Sequence, residues 1–482
     1  MGIFFTSGEK KTRAGVYQRY ENVGSPNIAG ATNGIVACVI KANWGPLESV
    51  QTFESPEAAK KVYGTGGTVN MIDELFTGGA KTVYAVRLGT GGDKCSFTLK
   101  DNAESSPQDA VSVTGKYVGD RAFSYVLRKV LGDESAKELV IYENTTVLEK
   151  ITFAAGTGVS EVDALIAAGN ASSSLFDFAK AQGYTGEGKL PDNVTGQLGG
   201  NGSGTLGSNP SSSNDMYSKA FVLLEPYRWN TICVDTDSTE VHNILSAYMQ
   251  RVYQGGKMGF AVVGEPVSVE LDTRMDHSKA FNQYTTVYVG GGWINSSGAT
   301  VDGYMAAARI AGMVASVPSN QSLTHRPVTG AVEPAEHLTN SQYEQTIRSG
   351  MITFSASAEG TVWIESGITT LVTPSGEDDE GWKKIKRSKV RFELMTRASD
   401  TVEPLIGNVN NDTDGRATVI QALQGLLNTM VAESKLLSGA TVYEDPNNPP
   451  QGDSAWFVFD ADDVDALEKV YLTYRFRFAP TV

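Results

Sequence analysis

Cysteine and histidine are scarce in this chain of 482 residues, at three and four respectively, and that scarcity removes whole classes of chemistry. Cys38, Cys95 and Cys233 stand far apart without metal-ligand spacing, each in or beside an apolar run, so buried reduced thiols are expected. His242, His277, His325 and His337 show neither His-x-x-x-His nor Cys/His spacing, which leaves no metal-site signal, and no cofactor motif holds up. A Gly-x-Ser-x-Gly elbow is missing too, so a serine hydrolase lacks its usual anchor. No apolar run approaches the roughly 18 residues that a bilayer span requires. Ile3-Phe4-Phe5 is too short for the apolar part of a signal peptide, and a reducing cytoplasm is the expected place of synthesis. Met1-Gly2 with Thr6 matches a myristoylation pattern loose enough to recur by chance.

Positive charge is also in deficit. Forty basic against 55 acidic residues give a net charge of -15, which argues against nucleic-acid binding, because phosphate contacts need a basic surface. The remaining composition, 40% apolar and 20% charged, is that of an ordinary folded protein. At this length several domains are expected.

Residues 1–22 read as an arm: a polar, basic stretch and then "VYQRY", where Val16 and Tyr20 alternate with polar positions around Tyr17. From residue 23 to 94 the pattern is α/β. "GIVACVIKA" and "KTVYAVRL" are buried-strand runs, and between them "SPEAAKKVYG" predicts a short helix with Ser55 as N-cap and Pro56 at the first position. Strands and polar turns then alternate over 95–195, the texture of a small inserted β-sandwich-like domain. Residues 196–214 are rich in Gly, Ser and Asn and read as a linker or exposed loop. Over 215–373, strands such as "NTICVDTD" and "MGFAVVGEP" alternate with helices such as "VDGYMAAARIAGMVASV", which implies a doubly wound α/β domain. An α+β domain follows at 374–468, carrying a basic segment and an amphipathic helix.

Two motif-like stretches have plainer explanations. Gly183 to Leu190, "GYTGEGKL", nearly spells a P-loop, but Leu190 stands where a Ser or Thr must reach magnesium; an exposed turn is the better reading. "NNDTDG" at 410–415 resembles half a calcium loop, but Gln421 falls where the bidentate Glu belongs, and an Asp/Asn-rich helix N-cap explains it. In "GWKKIKRSKVRFELMTR" the residues Lys383, Lys384, Lys386, Arg387 and Lys389, with Arg391 and Arg397, concentrate positive charge in an acidic chain. Such a run is commonly a solvated face; its contrast with the rest also makes it a candidate for an acidic partner.

The C-terminal segment 469–482 opens with "KVYLTYRFRF". Val470, Leu472, Tyr474, Phe476 and Phe478 fall on one face of an alternating pattern, and Tyr471, Thr473, Arg475 and Arg477 on the other. That predicts a half-buried strand with no local hairpin partner.

Several stretches together resemble the contractile tail sheath family of myophages, prophage tail-like particles and contractile injection systems. They are "RAGVYQRYENV" at 13–23, "FTGGAKTVYAVRL" at 76–88, "LIGNVNNDTDGR" at 405–416 and "DALEKVYLTYRF" at 465–476. The resemblance implies a non-enzymatic structural subunit that polymerises helically with identical subunits around an inner tube. It further implies contraction to drive the tube through a target envelope, baseplate and tail terminator proteins as partners, and neither nucleic acid nor membrane insertion. The place implied is a virion tail or tail-like particle, assembled in a bacterial host's cytoplasm. It implies a subtilisin-like fold for 215–373, where "ICVDTD" with Asp235 resembles the strand ending in the catalytic Asp. Tyr304 stands at the nucleophile position and no His-Gly-Thr-His sequence supplies a base, so a scaffold is expected. Both arms are implied to add strands to a neighbour's C-terminal domain, through Val16, Tyr17, Tyr20, Val470, Leu472, Tyr474, Phe476 and Phe478. The domain at 374–468 is implied to face the tube, with Lys383, Lys384, Lys386, Arg387 and Lys389 as contacts. A divergent hydrolase using Asp235 and a surface-binding module are the alternatives.

Overall fold

The structure, a computed structural model, describes residues 3–4, 17–18, 33–156, 160–199, 204–376 and 378–477. The chain divides into two compact units, one of Met1–Ala31 with Val390–Val464 and the other of Thr32–Lys389 with Asp465–Val482. Its fold is mixed α/β and multidomain. No helix among the described residues is long and apolar enough to cross a membrane.

The larger unit is built on a seven-stranded sheet. Its strands run in the spatial order Met351–Ile352, Thr286–Val289, Phe260–Gly264, Thr231–Val234, Ile35–Ile40, Thr82–Arg87, Val50–Phe53. All neighbours are parallel except the last pair. The reason is in the residues: "IVACVI", "TICV" and "FAVVG" are continuous β-branched and apolar runs, which suit strands covered on both faces. Ala37 and Val39 point to the face covered by the helices Asn214–Leu224, Thr239–Gln254 and Leu271–Phe281, among Phe221, Leu245, Met249 and Met275. The opposite face is covered by the helix Gly303–Ser316, where Ala306, Ala307, Ala308, Ala311 and Ala315 let backbone approach sheet; Thr231 Oγ1 donates to Ala311 O at 3.1 Å. Cys38 and Cys233 face each other in register in the sheet, and all three cysteines are free and buried.

Between Thr82–Arg87 and Thr231–Val234 the chain makes an excursion of two antiparallel sheets. Four strands pair in the order Thr146–Ala154, Asp133–Glu143, Ser124–Val130, Asn193–Gln197, and three in the order Phe176–Lys180, Asp109–Val118, Lys94–Lys100. One apolar cluster serves both sheets and the helix Glu161–Ser172: Phe97, Val113, Phe123, Leu127, Ile141, Leu165 and Phe176 meet there, and Trp44 packs edge-on against Phe123.

Local expectations fare unevenly. Ser55 Oγ accepts from Ala58 N at 3.2 Å and Pro56 opens the helix Pro56–Tyr63, as the cap pattern requires. Asp412 caps the helix Thr413–Ala432 by accepting from Gly415 N at 2.8 Å, which is the work done by the calcium-like stretch. In the P-loop-like stretch Leu190 is buried and Tyr184 OH accepts from Gly188 N. In the Gly/Ser/Asn-rich stretch, expected as a linker or exposed loop, residues 204–213 are mostly exposed and are tied by backbone bonds. Thr205, Ser208 and Ser211 pair antiparallel with Ser96, Asp93 and Thr90, and Thr205 N reaches Ser96 O at 2.7 Å. Composition reports the small side chains there, while the backbone bonds that fix them come from a distant strand.

In the smaller unit, Val390, Leu423, Leu426, Leu427, Met430, Leu436 and Val442 form the core between helices and an antiparallel pair, Thr441–Glu444 with Phe457–Asp460. Two helix-interior glycines separate packing from propensity. A Cβ on Gly312 would stand 2.2 Å from Leu75 O of the helix Met71–Thr77, whereas one on Gly425 would meet nothing within 4 Å. Gly312→Ala is therefore expected to lose about 1–3 kcal/mol of stability through overpacking. Gly425→Ala is expected to gain about 0.5–1 kcal/mol by propensity. Denaturant unfolding of both variants checks the opposite signs.

Candidate functional site

In open α/β sheets ligands bind outside the carboxyl ends of the strands where the strand order reverses. Here that point lies between Ile35–Ile40 and Thr231–Val234, and Asp235 follows the second of these strands. Its carboxylate is buried and fully engaged. Oδ1 accepts from Tyr217 OH at 2.5 Å, and Oδ2 accepts from Lys41 N at 2.8 Å and Thr68 Oγ1 at 2.5 Å, with Lys41 Nζ at 3.5 Å. Burial, and then Asp235, push the Tyr217 hydroxyl far above its ordinary range, so it remains a donor. A carboxylate with these acceptors filled stitches two strand ends together and orients nothing else.

Tyr304 lies in the first turn of the helix Gly303–Ser316, its N–H donating to Asp237 Oδ1 at 2.6 Å. No histidine among the described residues bonds Asp235. His242 is buried and its Nε2 meets Thr236 O at 2.9 Å; burial lowers its pKa, so it is neutral at pH 7. His277 Nδ1 lies 2.9 Å from Glu265 Oε1. The residues suggested by sequence for Asp and nucleophile thus follow a central strand and open the helix that covers it, but no base among the described residues connects them.

The basic run is largely absorbed by the chain itself. Lys386 and Lys389, expected as tube contacts, are buried, which corrects their place on an open face. Lys389 Nζ donates to Val314 O at 2.5 Å and to the Val317 carbonyl, so its charge sits against the negative end of the helix Gly303–Ser316. Lys384 pairs with Asp465 and Glu468, and Lys383 with Glu380 at 2.7 Å. Arg387 is half-buried. Arg391 pairs with Asp463 at 3.0 Å, and Arg397 with Glu393 and Glu433.

The terminal segments differ from expectation in a telling way. Residues 469–477 belong to no strand of this chain, and their apolar side chains stand in the open: Val470 is 65% and Phe476 92% exposed, with Leu472 and Tyr474 exposed too. An alternating pattern supplies a strand's side chains but no hydrogen-bonding partner. Phe478, Val16 and Tyr20 lie outside the described residues. Tyr17 belongs to the two-residue strand Tyr17–Gln18, which pairs in parallel with Ile3–Phe4.

Comparison with known proteins fits this arrangement. Residues 211–370 match the family model described as the phage tail sheath protein central domain. The chain is 23% identical to the phage-like element PBSX protein XkdK of Bacillus subtilis (strain 168), over 98% of each. It superposes on the sheath tail protein of Desulfitobacterium hafniense with a TM-score of 0.69 at 18% identity, covering 93% of this chain and 100% of that one. Against the contracted sheath complex of an extracellular contractile injection system, PVC, the TM-score is 0.57 at 10% identity, covering 97% and 98%. The family match is thus confined to residues 211–370, while the fold is similar to that of solved sheath proteins through most of the chain.

The carboxyl end of the strand Thr231–Val234 makes a pH prediction. Burial pushes the Asp237 carboxyl up to about 6; the Tyr304 N–H opposes this, while Asp302 and Glu265 add to it. Unfolded, the group titrates near 3.8, so its charge destabilises the fold above about 6, and that penalty is relieved as pH falls from about 6 toward 4. Asp237→Asn keeps the acceptor for Tyr304 N and removes the charge. Thermal unfolding should show the variant more stable than wild type at pH 7.5, with the difference shrinking at pH 5.

Proposed function

We propose that this protein is the structural subunit of a contractile tail sheath, polymerising helically around an inner tube and shortening to drive the tube through a target envelope. The observation that carries the reading is the apolar segment 470–476, unpaired and exposed in a chain with a tail sheath central domain. Such a segment is half of a β-augmentation contact. The partners are identical subunits, the tube, and baseplate and terminator proteins, in a virion tail or tail-like particle assembled in the cytoplasm of a bacterial host. The strand pair Thr441–Glu444 with Phe457–Asp460 is the host sheet we assign to the arms, since it has two strands and two open edges among the described residues.

Finer readings follow from the same reasoning. The largely parallel sheet with helices on both faces supports a non-catalytic, subtilisin-like domain over 215–373, joined by the segment 23–94. Two antiparallel sheets around one core support a sandwich-like insertion over 95–195, with 374–468 facing the tube between the arms 1–22 and 469–482. The protein is a scaffold and not an enzyme: Asp235 is engaged by Tyr217, Thr68 and Lys41, so the divergent-hydrolase alternative lacks its orienting carboxylate.

The energetics favour assembly only in a lattice. Burying the five apolar side chains from Val470 to Phe478 gains about 8–15 kcal/mol. Ordering about ten residues opposes this by about 10–20 kcal/mol of backbone entropy. One arm is close to break-even, so lone subunits stay apart, and two arms in a closed lattice add through effective concentration.

Ending the chain at Glu468 is expected to leave a folded monomer that forms no hollow striated cylinders in negative-stain micrographs; normal cylinders would sink the arm assignment. With Lys386 and Lys389 turned inward and Lys384 held by two carboxylates, we assign tube contact to the half-buried Lys383, whose ion-pair partner, Glu380, is itself exposed. Lys383→Glu should weaken co-sedimentation with purified tube more at low salt than at high salt; equal binding at both would reduce the run to a solvated face.

A further inference from the structure

The place where the C-terminal segment leaves the larger unit is held by charge rather than by apolar burial. Leu467, the one large apolar residue at this point, is 85% exposed, whereas the Glu468 side chain beside it is only 18% exposed. Lys384 Nζ lies 2.8 Å from Asp465 Oδ2 and 3.0 Å from Glu468 Oε2. The other Glu468 oxygen accepts from Ser322 Oγ at 2.9 Å and Thr324 Oγ1 at 3.0 Å.

These donors are themselves fixed. Thr324 Oγ1 accepts from Gly367 N at 3.0 Å, and Ser322 Oγ accepts from Thr324 N at 3.1 Å, so both hydroxyls have their protons aimed at the carboxylate. Lys384 sits on a backbone platform: Ile385 N donates to Gly367 O at 3.1 Å, and Thr369 N to Lys383 O at 2.9 Å. Glu468 therefore meets a pre-formed receptor of one ammonium and two hydroxyls. One residue further on, that grip ends and the exposed apolar pattern begins.

We propose that Lys384, Ser322, Thr324 and Glu468 are positioning residues: they form a polar clasp that fixes the point from which the C-terminal segment departs and so keeps its tether short. The inference rests on the sheath reading, because its purpose is to present the strand to a second copy of the chain. A shorter tether raises the effective concentration of the strand at the neighbour's sheet. Since the clasp is half-exposed and ionic, salt weakens it, whereas an apolar anchor would tighten.

A spin label on Leu467→Cys reads the clasp in the monomer, where Cys38, Cys95 and Cys233 are buried away from the reagent. The label is expected to be restricted in the otherwise wild-type protein and to become mobile with added Glu468→Ala or Lys384→Met, or in high salt. Glu468→Gln, which can still accept from Ser322 and Thr324 but loses the ion pair, should fall between. Without the label, Glu468→Ala should slow assembly at least about five-fold, followed by light scattering, with an unchanged melting temperature. A label as restricted in Glu468→Ala as in wild type would overturn the clasp; a mobile label with wild-type assembly would overturn its positioning role. Wild-type protein that forms no cylinders with or without tube would overturn the sheath reading instead, and label mobility would then decide the clasp alone.

Discussion

The pairing of Ile35–Ile40 with Thr231–Val234 is the interaction on which the rest of the larger unit depends. Two strands nearly two hundred residues apart in the chain lie side by side in the middle of one parallel sheet, with Cys38 opposite Cys233. The chain between them first adds Val50–Phe53 and Thr82–Arg87 to the same sheet, then must leave it and return. The antiparallel excursion from residue 94 onward is a consequence, and so is the pinned return of Thr205–Ser211 along Thr90–Ser96. The matched family domain begins at residue 211, so the sheet at its centre is completed by strands that precede it in sequence.

Asp235 secures that pairing at the strand ends. A carboxylate at the switch point of a doubly wound sheet is where a ligand or a catalytic histidine would be met. Here Tyr217 reaches it from the helix Asn214–Leu224, Thr68 and the Lys41 N–H reach it from the N-terminal segment, and its acceptors are used in joining them. A buried charge must be matched by donors, and once matched in this way it is a joint. The same economy governs the basic run. Lys384, Lys389, Arg391 and Arg397 of that run are spent on carboxylates and helix carbonyls of the same chain. The apolar alternation at 470–476 is left exposed.

Much of the scaffold was legible in the residues. Continuous β-branched runs mark the buried strands, and Ser55-Pro56 and Asp412 mark helix starts; the alternating apolar pattern of the terminal segment predicts a half-buried strand, whereas residues 469–477 form no strand in this chain and are exposed. Lys386 and Lys389 read as surface because charge usually is, and nothing local in the sequence marks them as buried; the carbonyls that Lys389 meets come from Val314 and Val317, far away in the chain. The clasp at Glu468 was not legible, since Ser322, Thr324 and Lys384 come from places in sequence that carry no shared pattern.

By itself the sequence determined the buried strand runs, the helix starts at Ser55-Pro56 and Asp412, and an alternating apolar pattern at 470–478 with no hairpin partner nearby. Those properties are local: they follow from side-chain volume, branching, caps and period, all within a few residues. Only the tertiary structure decided which strands lie side by side, that the glycine-rich stretch is tied down, and that Asp235 and the basic run are consumed internally. Those outcomes depend on which donors and acceptors meet across long stretches of chain, and a buried polar group takes its role from the partner it meets.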